Sequence, residues 1–374
     1  MIEMDGSLIG KDKREIPTPA LLLDLDGVEH NLTEMADFFE DREADLRPHI
    51  KTHKSPFLAH KQLEAGAIGI TCQKLSEAEV MARSGIKDIL IANEVVGEVK
   101  TTRLARLARS VDLKVAVDDE ANARALDRAC REAGSELGVL VELNVGLNRC
   151  GIPPGERALP LARFLRKTDN LVFRGLMGYE GHTVFIDSFE ERKRRAEEAL
   201  KAVVGTKELL EEEGIGCPVV SSGATGTHEI TGSYPGVTEV EAGSYLTMDG
   251  TYAELDGVGE KFQTPLTLLA TVISRPAEDR AVLDSGMKSI THDMGDPQFV
   301  GLEGATVTSF SEEHLNVRIE GPEVEAFEVL RPGEKVELLP SHGCTTINLH
   351  DQFYGIRDGD LEAILPVEAR GKFV

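Results

Sequence analysis

Long apolar runs are missing from this sequence, and none approaches the ~18 residues that a membrane-spanning helix requires. The first 19 residues hold Glu3, Asp5, Lys11, Asp12, Lys13, Arg14 and Glu15 without an apolar core, which argues against a secretory signal. Close cysteine pairs are missing too. Cys72, Cys130, Cys150, Cys217 and Cys344 are scattered and odd in number, which argues against a disulfide framework and for a reducing cytoplasm. Positive charge is scarce: 41 Lys and Arg against 65 Asp and Glu leave a formal net charge of −24. A nucleic-acid partner is therefore not expected, because a phosphate backbone rewards a basic surface. A small anionic substrate stays open, since a local cationic pocket can bind one inside an acidic protein.

What is present is a regular alternation. Apolar segments at Ala20–Leu23, Asp45–Ile50, Ala67–Thr71, Ile89–Ala92, Leu113–Val117, Val139–Val145, Leu171–Met177 and Pro218–Ser221 are separated by helical patterns such as Ser76–Ser84, Ala121–Ala133 and Phe189–Glu213. Strands and helices at this spacing imply parallel βαβ units. Some eight repeats predict a closed (β/α)₈ barrel over residues 20–250, with an open doubly wound sheet as the second choice. After Asp249 the pattern changes. Thr264–Ser274, Arg280–Asp284, Val300–Thr308, Leu315–Ile319 and Lys335–Leu339 read as strands with no convincing helix between them, predicting a small all-β domain over 251–374.

The densest chemistry lies in Arg47-Pro48-His49-Ile50-Lys51-Thr52-His53-Lys54. A lysine among other cations sheds its proton more readily, and a neutral amine is what attacks an aldehyde. In a barrel the reactive groups gather at the C-terminal strand ends, where Lys51, Gln73, Arg149, Tyr179, Glu180 and His182 all fall. Ser221-Ser222-Gly223-Ala224-Thr225-Gly226-Thr227 and Ala242-Gly243-Ser244-Tyr245 follow the last two strands and offer hydroxyls and backbone N–H groups to a phosphate. Far downstream, His342 and Cys344 stand two apart in Pro340-Ser341-His342-Gly343-Cys344, a pair able to ligate one metal ion and leave positions open.

The run around Lys51, preceded by Ile16-Pro17-Thr18-Pro19-Ala20 and continued by the motifs above, resembles the D-threonine aldolase and D-serine dehydratase family. These are pyridoxal-phosphate enzymes related to the bacterial alanine racemases. The resemblance implies a barrel followed by a β domain, with the N-terminal segment 1–19 packing on the latter. It implies that Lys51 carries pyridoxal phosphate and that Arg149 faces its phenolic oxygen. Tyr179, with Gln73, lines the pocket. Ser222, Gly223, Thr225, Gly243 and Ser244 hold the phosphate. A divalent metal (zinc, manganese or magnesium) on His342 and Cys344 is also implied. The implied activity is a lyase acting on a D-configured β-hydroxy-α-amino acid, with aldol cleavage placed ahead of dehydration. The cysteine ligand resembles the dehydratase branch, whereas Thr346-Ile347-Asn348-Leu349-His350-Asp351 resembles the aldolases. The family's loop base falls on Phe185, leaving nearby His182 as the candidate. Racemisation needs no metal, and a bare cofactor carrier has no β domain, so both fit less well. A homodimer is implied, the β domain of one subunit approaching the barrel mouth of the other, with Lys288 and His292 as interface candidates.

Overall fold

A computed structural model describes residues 6–374. Ala-Leu-Leu-Leu, the first run of four apolar residues, forms strand β1 (Ala20–Asp24) and leads into the helix Leu25–Glu40. Eight parallel strands follow: β2 (Asp45–Leu46), β3 (Ile70–Cys72), β4 (Asp88–Glu94), β5 (Asp112–Val117), β6 (Leu137–Glu142), β7 (Leu171–Met177), β8 (Val219–Ser222) and β9 (Glu239–Val240). Their order is β2-β9-β8-β7-β6-β5-β4-β3. The ring closes where His49 bridges Thr71: Ile50 N–H donates to the Thr71 carbonyl at 2.9 Å, and Thr71 N–H to the Pro48 carbonyl at 2.8 Å. This is the (β/α)₈ barrel the alternation predicts.

The helices between strands follow from local signals. Asp119 accepts the Asn122 N–H at 2.9 Å and starts the helix Glu120–Ala133, while Gly134, at φ 63°, ends it. Such an N-cap contributes about 1 kcal/mol, and a left-handed C-terminal residue suits glycine. Ala123, Leu126 and Cys130 of that helix are buried against the barrel wall.

The remaining strands are β10 (Leu266–Ala277), β11 (Arg280–Leu283), β12 (Gln298–Phe299), β13 (Ala305–Phe310), β14 (Leu315–Ile319), β15 (Lys335–Leu339), β16 (Gln352–Arg357) and β17 (Asp360–Pro366). Their sheet runs β13-β14-β11-β10-β1-β16-β17, with β15 also on β10 and β12 on β15. Here two expectations are corrected. Ala20–Leu23 does not open the barrel; β1 lies mid-sheet in the β domain, antiparallel to β10 and parallel to β16. Its four apolar residues serve two cores, Leu21 and Leu23 on one face, Ala20 and Leu22 on the other, and a strand buried on both faces looks the same in either sheet. The β domain also contains short helices, Glu325–Val329 and Gly343–Ile347. The second of these places the Cys344 region.

Residues ahead of β1 lie along the β domain. Gly10 N–H donates to Leu361 O at 2.8 Å, Lys13 N–H to Gly359 O at 2.9 Å, and Lys335 Nζ to the carbonyls of Arg14 and Ile16 at 2.7 Å. Residues 1–5 of the expected 1–19 segment lie outside the described residues. Among the described residues no helix is long and apolar enough to cross a membrane.

Candidate active site

The C-terminal strand ends open on one pocket, with an empty volume of about 550 Å³ counted to its mouth. The five basic or imidazole side chains of the run 47–54 separate there. Arg47 turns to the opposite end of the barrel, pairing with Glu239 at 2.9 Å and with Asp88. His53 is buried on Gln62 (3.2 Å), and burial holds its pKa down to about 4. Lys54 pairs with Glu77 at 3.2 Å. Burial, and next the charge of Lys51, push the His49 pKa well below its ordinary value. The ring is neutral: Nδ1 accepts the Lys51 N–H at 3.4 Å, so Nε2 carries the proton and donates to Gln73 Oε1 at 3.2 Å. Gln73 in turn donates to the Ala92 carbonyl at 3.2 Å. The expected crowd of cations around Lys51 is therefore absent, because its neighbours in sequence are neutral, paired or turned away. Lys51 Nζ and the Arg149 guanidinium both lie over the Tyr179 ring, 5.7 and 5.4 Å from its centroid.

The opposite wall is formed by Ser222–Thr225 and Gly243–Ser244. Glu180, fully buried, underpins this wall. It accepts Ser222 Oγ–H at 2.8 Å, Gly223 N–H at 3.0 Å, Thr227 Oγ1–H at 2.8 Å and Thr231 Oγ1–H at 2.7 Å. Two of the expected phosphate donors, Ser222 Oγ and Gly223 N, are thus committed to Glu180, while the Thr225 and Ser244 hydroxyls line the pocket. Gly243 must be glycine for a packing reason: a Cβ there would come within 2.2 Å of His49 O.

The lining residues given no site role by sequence reasoning include Thr52, Tyr252 and Glu241. Burial pushes the Glu241 carboxyl up to about 7, against the Ser221 hydroxyl that donates to it at 2.7 Å. Its signal is an acid one residue beyond a strand, just before Ala242-Gly243-Ser244. His182 does not line the pocket. It is exposed at the rim, its imidazole packed over Gly146, and Phe185 beside it lies against Tyr252 with ring centroids 5.1 Å apart.

The β domain delivers His342 and Cys344 to this mouth. Gly343 N–H donates to Asp249 Oδ2 at 2.8 Å, and Asp249 Oδ1 accepts the Tyr252 N–H at 3.0 Å, which ties the motif to the end of the barrel. The Cys344 thiol meets Thr52 Oγ1 at 3.4 Å. Burial pushes that thiol up, but His342, Thr52 and Lys51 outweigh it and hold it below its ordinary value. Burial likewise opposes charge on His342, yet contacts with Cys344 and Asp293 raise it to about 9. Asp293 Oδ2 holds His342 Nδ1 at 2.7 Å, the carboxylate–imidazole arrangement that orients a metal-ligating histidine. An imidazole and an acidified thiol side by side suit a borderline-soft divalent metal.

The chemistry of the lining fits pyridoxal phosphate. Hydroxyls and turn N–H groups suit its phosphate, the Lys51 amine its aldehyde, the Arg149 guanidinium its phenolic oxygen, and buried Glu241 supplies the acid a pyridine nitrogen uses as partner.

Comparisons with known proteins agree with this geometry. Residues 23–250 match the model for the alanine racemase N-terminal domain, and residues 265–356 that for a putative serine dehydratase domain. A D-threonine aldolase from Arthrobacter sp. is 40% identical over 363 residues, 97% of this chain and 95% of that protein. The crystal structure of D-threonine aldolase from Filomicrobium marinum superposes with a TM-score of 0.94 at 39% identity, covering 98% of this chain and 99% of that one. A cysteine-to-alanine variant of D-threo-3-hydroxyaspartate dehydratase, solved metal-free, superposes at 0.86 with 28% identity over 95% and 98% of the two chains. The chain belongs to the D-threonine aldolase and D-serine dehydratase family, built on the alanine racemase-like barrel.

Proposed function

We propose that this enzyme is a pyridoxal-phosphate- and divalent-metal-dependent lyase that splits D-configured β-hydroxy-α-amino acids into glycine and an aldehyde. The observation that carries the reading is the meeting of two distant motifs: Thr52, beside Lys51, touches Cys344 across 292 residues of chain. An amino acid whose nitrogen meets Lys51 carries its β-hydroxyl two bonds beyond Cα, and the Thr52–Cys344 contact brings the candidate metal pair beside the residue next to that lysine. When bound, pyridoxal phosphate supplies an electron sink for the bond broken at Cα, and the metal a Lewis acid toward the hydroxyl. Lys51, Arg149, Tyr179, Gln73, Thr225, Gly243 and Ser244 hold the former, with Ser222 and Gly223 shaping the wall behind them. His342 and Cys344 hold the latter. Asp293 orients His342. Tyr252 closes the pocket beside the metal corner.

A second reading, dehydration to a keto acid and ammonia, is favoured by one observation, the thiol at the second metal position. Product analysis with D-threonine, D-serine and D-3-hydroxyaspartate separates the two. Glycine with an aldehyde supports the first reading, and a keto acid with ammonia the second. A chelator should abolish either; turnover that survives complete metal removal would contradict the role given to His342 and Cys344.

We also propose a homodimer with this mouth at its interface. Phe185, against Tyr252 of the pocket, is exposed, as are Met287 and Met294 of the β domain; His292 stacks on Phe310 at 4.6 Å, and Lys288 reaches outward to Glu313. Sedimentation should show two chains per particle, and a fully active monomer would contradict this. Five free cysteines suit a reducing cytoplasm.

A further inference from the structure

Behind Arg149, the ends of β4 and β6 bring two carboxyls together. Glu94, Glu142 and the Cys150 thiol present their polar atoms within 4.8 Å of one another. Glu142 is 4% exposed, and Glu94 Oε1 is buried without a hydrogen-bond donor. Two ionised carboxylates so close and so dry repel strongly, and a buried acceptor without a donor is costly. One proton on Glu142 cures both faults. It removes a charge and supplies the donor that Glu94 lacks.

The surroundings agree. Burial, and next the charge of Glu94, push the Glu142 carboxyl up to about 9, against the pull of Arg149. Burial and both glutamates push the Cys150 thiol up to about 11, so it stays protonated and unreactive. The other acid facing the pair, Asp118, is engaged at Oδ2 by Gly151 N–H at 3.0 Å. Arg149, on the same loop, has no ion pair among the described residues and lies over Tyr179 instead. A doubly charged pair would draw its guanidinium out of the pocket, and a neutral pair would leave it without a countercharge.

We propose that Glu94 and Glu142 share one proton and, as a singly charged pair, position the Arg149 guanidinium in the pocket. The positioning half rests on reading Arg149 as a cofactor ligand; the shared proton does not.

The proton is tested in the holoenzyme by melting temperature against pH. Folded, Glu142 keeps its proton to about pH 9; unfolded, it loses it near its ordinary value, ~4.3. Between those limits the folded state binds the extra proton, so this group's contribution to stability falls as pH rises. Glu142→Gln, always neutral and still a donor, escapes that fall, so its melting temperature relative to wild type should climb from about pH 5 to about pH 9. Glu94→Gln, lacking the neighbouring charge, should flatten the same slope. A difference independent of pH overturns the shared proton, as does a second divalent cation per subunit that is lost in Glu142→Gln.

Positioning is tested by cofactor release on dilution. Glu94→Gln should speed release about tenfold, Glu142→Gln about twofold at most, and Glu94→Gln should add nothing in an Arg149→Gln background. Equal further losses in both backgrounds overturn the positioning role. If Arg149→Gln alone leaves release unchanged, that role falls together with the reading of Arg149.

Discussion

Charges at the two ends of the barrel are treated in opposite ways. Where the strands begin, Arg47 is matched to Asp88 and Glu239, and Lys114 to Asp88 and Asp112 at 2.9 Å. Where the strands finish, Lys51 and Arg149 have no ion pair among the described residues, and the Glu241 carboxyl holds a single hydroxyl. The closed network spends its charges on one another and fixes the ring. The open set leaves them for a ligand, with an aromatic ring and a few dipoles as interim partners. Glu180 belongs to both styles: it is buried and saturated like the first group, yet it shapes the wall that faces the second.

That contrast is breakable. Lys51→Ala should cost about 10³-fold or more in turnover while leaving the melting temperature nearly unchanged, because Lys51 has no partner to orphan. A parallel loss of fold would place Lys51 with the structural charges. Arg47→Leu should do the reverse. It leaves Glu239 and Asp88 without their partner and should destabilise by about 3–5 kcal/mol, with turnover per folded molecule retained in an activity assay corrected for folded fraction. Glu180→Gln is the smallest expected change. One amide edge can no longer accept, so stability should drop by about 1–3 kcal/mol. Cofactor affinity, followed by titration of the apoenzyme, should weaken by about tenfold as the Ser222–Thr225 wall loosens. Unchanged affinity would reduce Glu180 to a packing role.

The fold was legible where periodicity repeats and the site where chemistry is concentrated. Alternating strands and helices announced the barrel, and the run of basic and imidazole residues at 47–54 announced Lys51. β1 was misplaced because Ala20–Leu23 is apolar throughout and nothing local says which sheet it joins. Lys51 does not sit in a crowd of cations from its own run. Five cationic or imidazole residues in eight positions look like one basic patch, but the chain sends Arg47 toward the barrel floor, buries His49 and His53 as neutral rings, and pairs Lys54 with Glu77. Linear density of charge is not density in space. Glu241 escaped notice because it is a single residue outside any motif, and Thr52 because its contact with Cys344 exists only in the folded chain. Asp293 was hidden in the same way, since only folding brings it 2.7 Å from His342.

The central claim is that a barrel lysine and a metal pair from the β domain form one composite site. Cobalt substitution tests it most directly, because a thiolate ligand gives cobalt a near-ultraviolet charge-transfer band. Holoenzyme loaded with cobalt should show that band and lose it in Cys344→Ala while the cofactor stays bound. Adding D-threonine should perturb the cobalt spectrum in the wild type and leave it unmoved in Lys51→Ala. A cobalt spectrum without the thiolate band, or one indifferent to substrate in the wild type, would separate the two motifs and contradict the account.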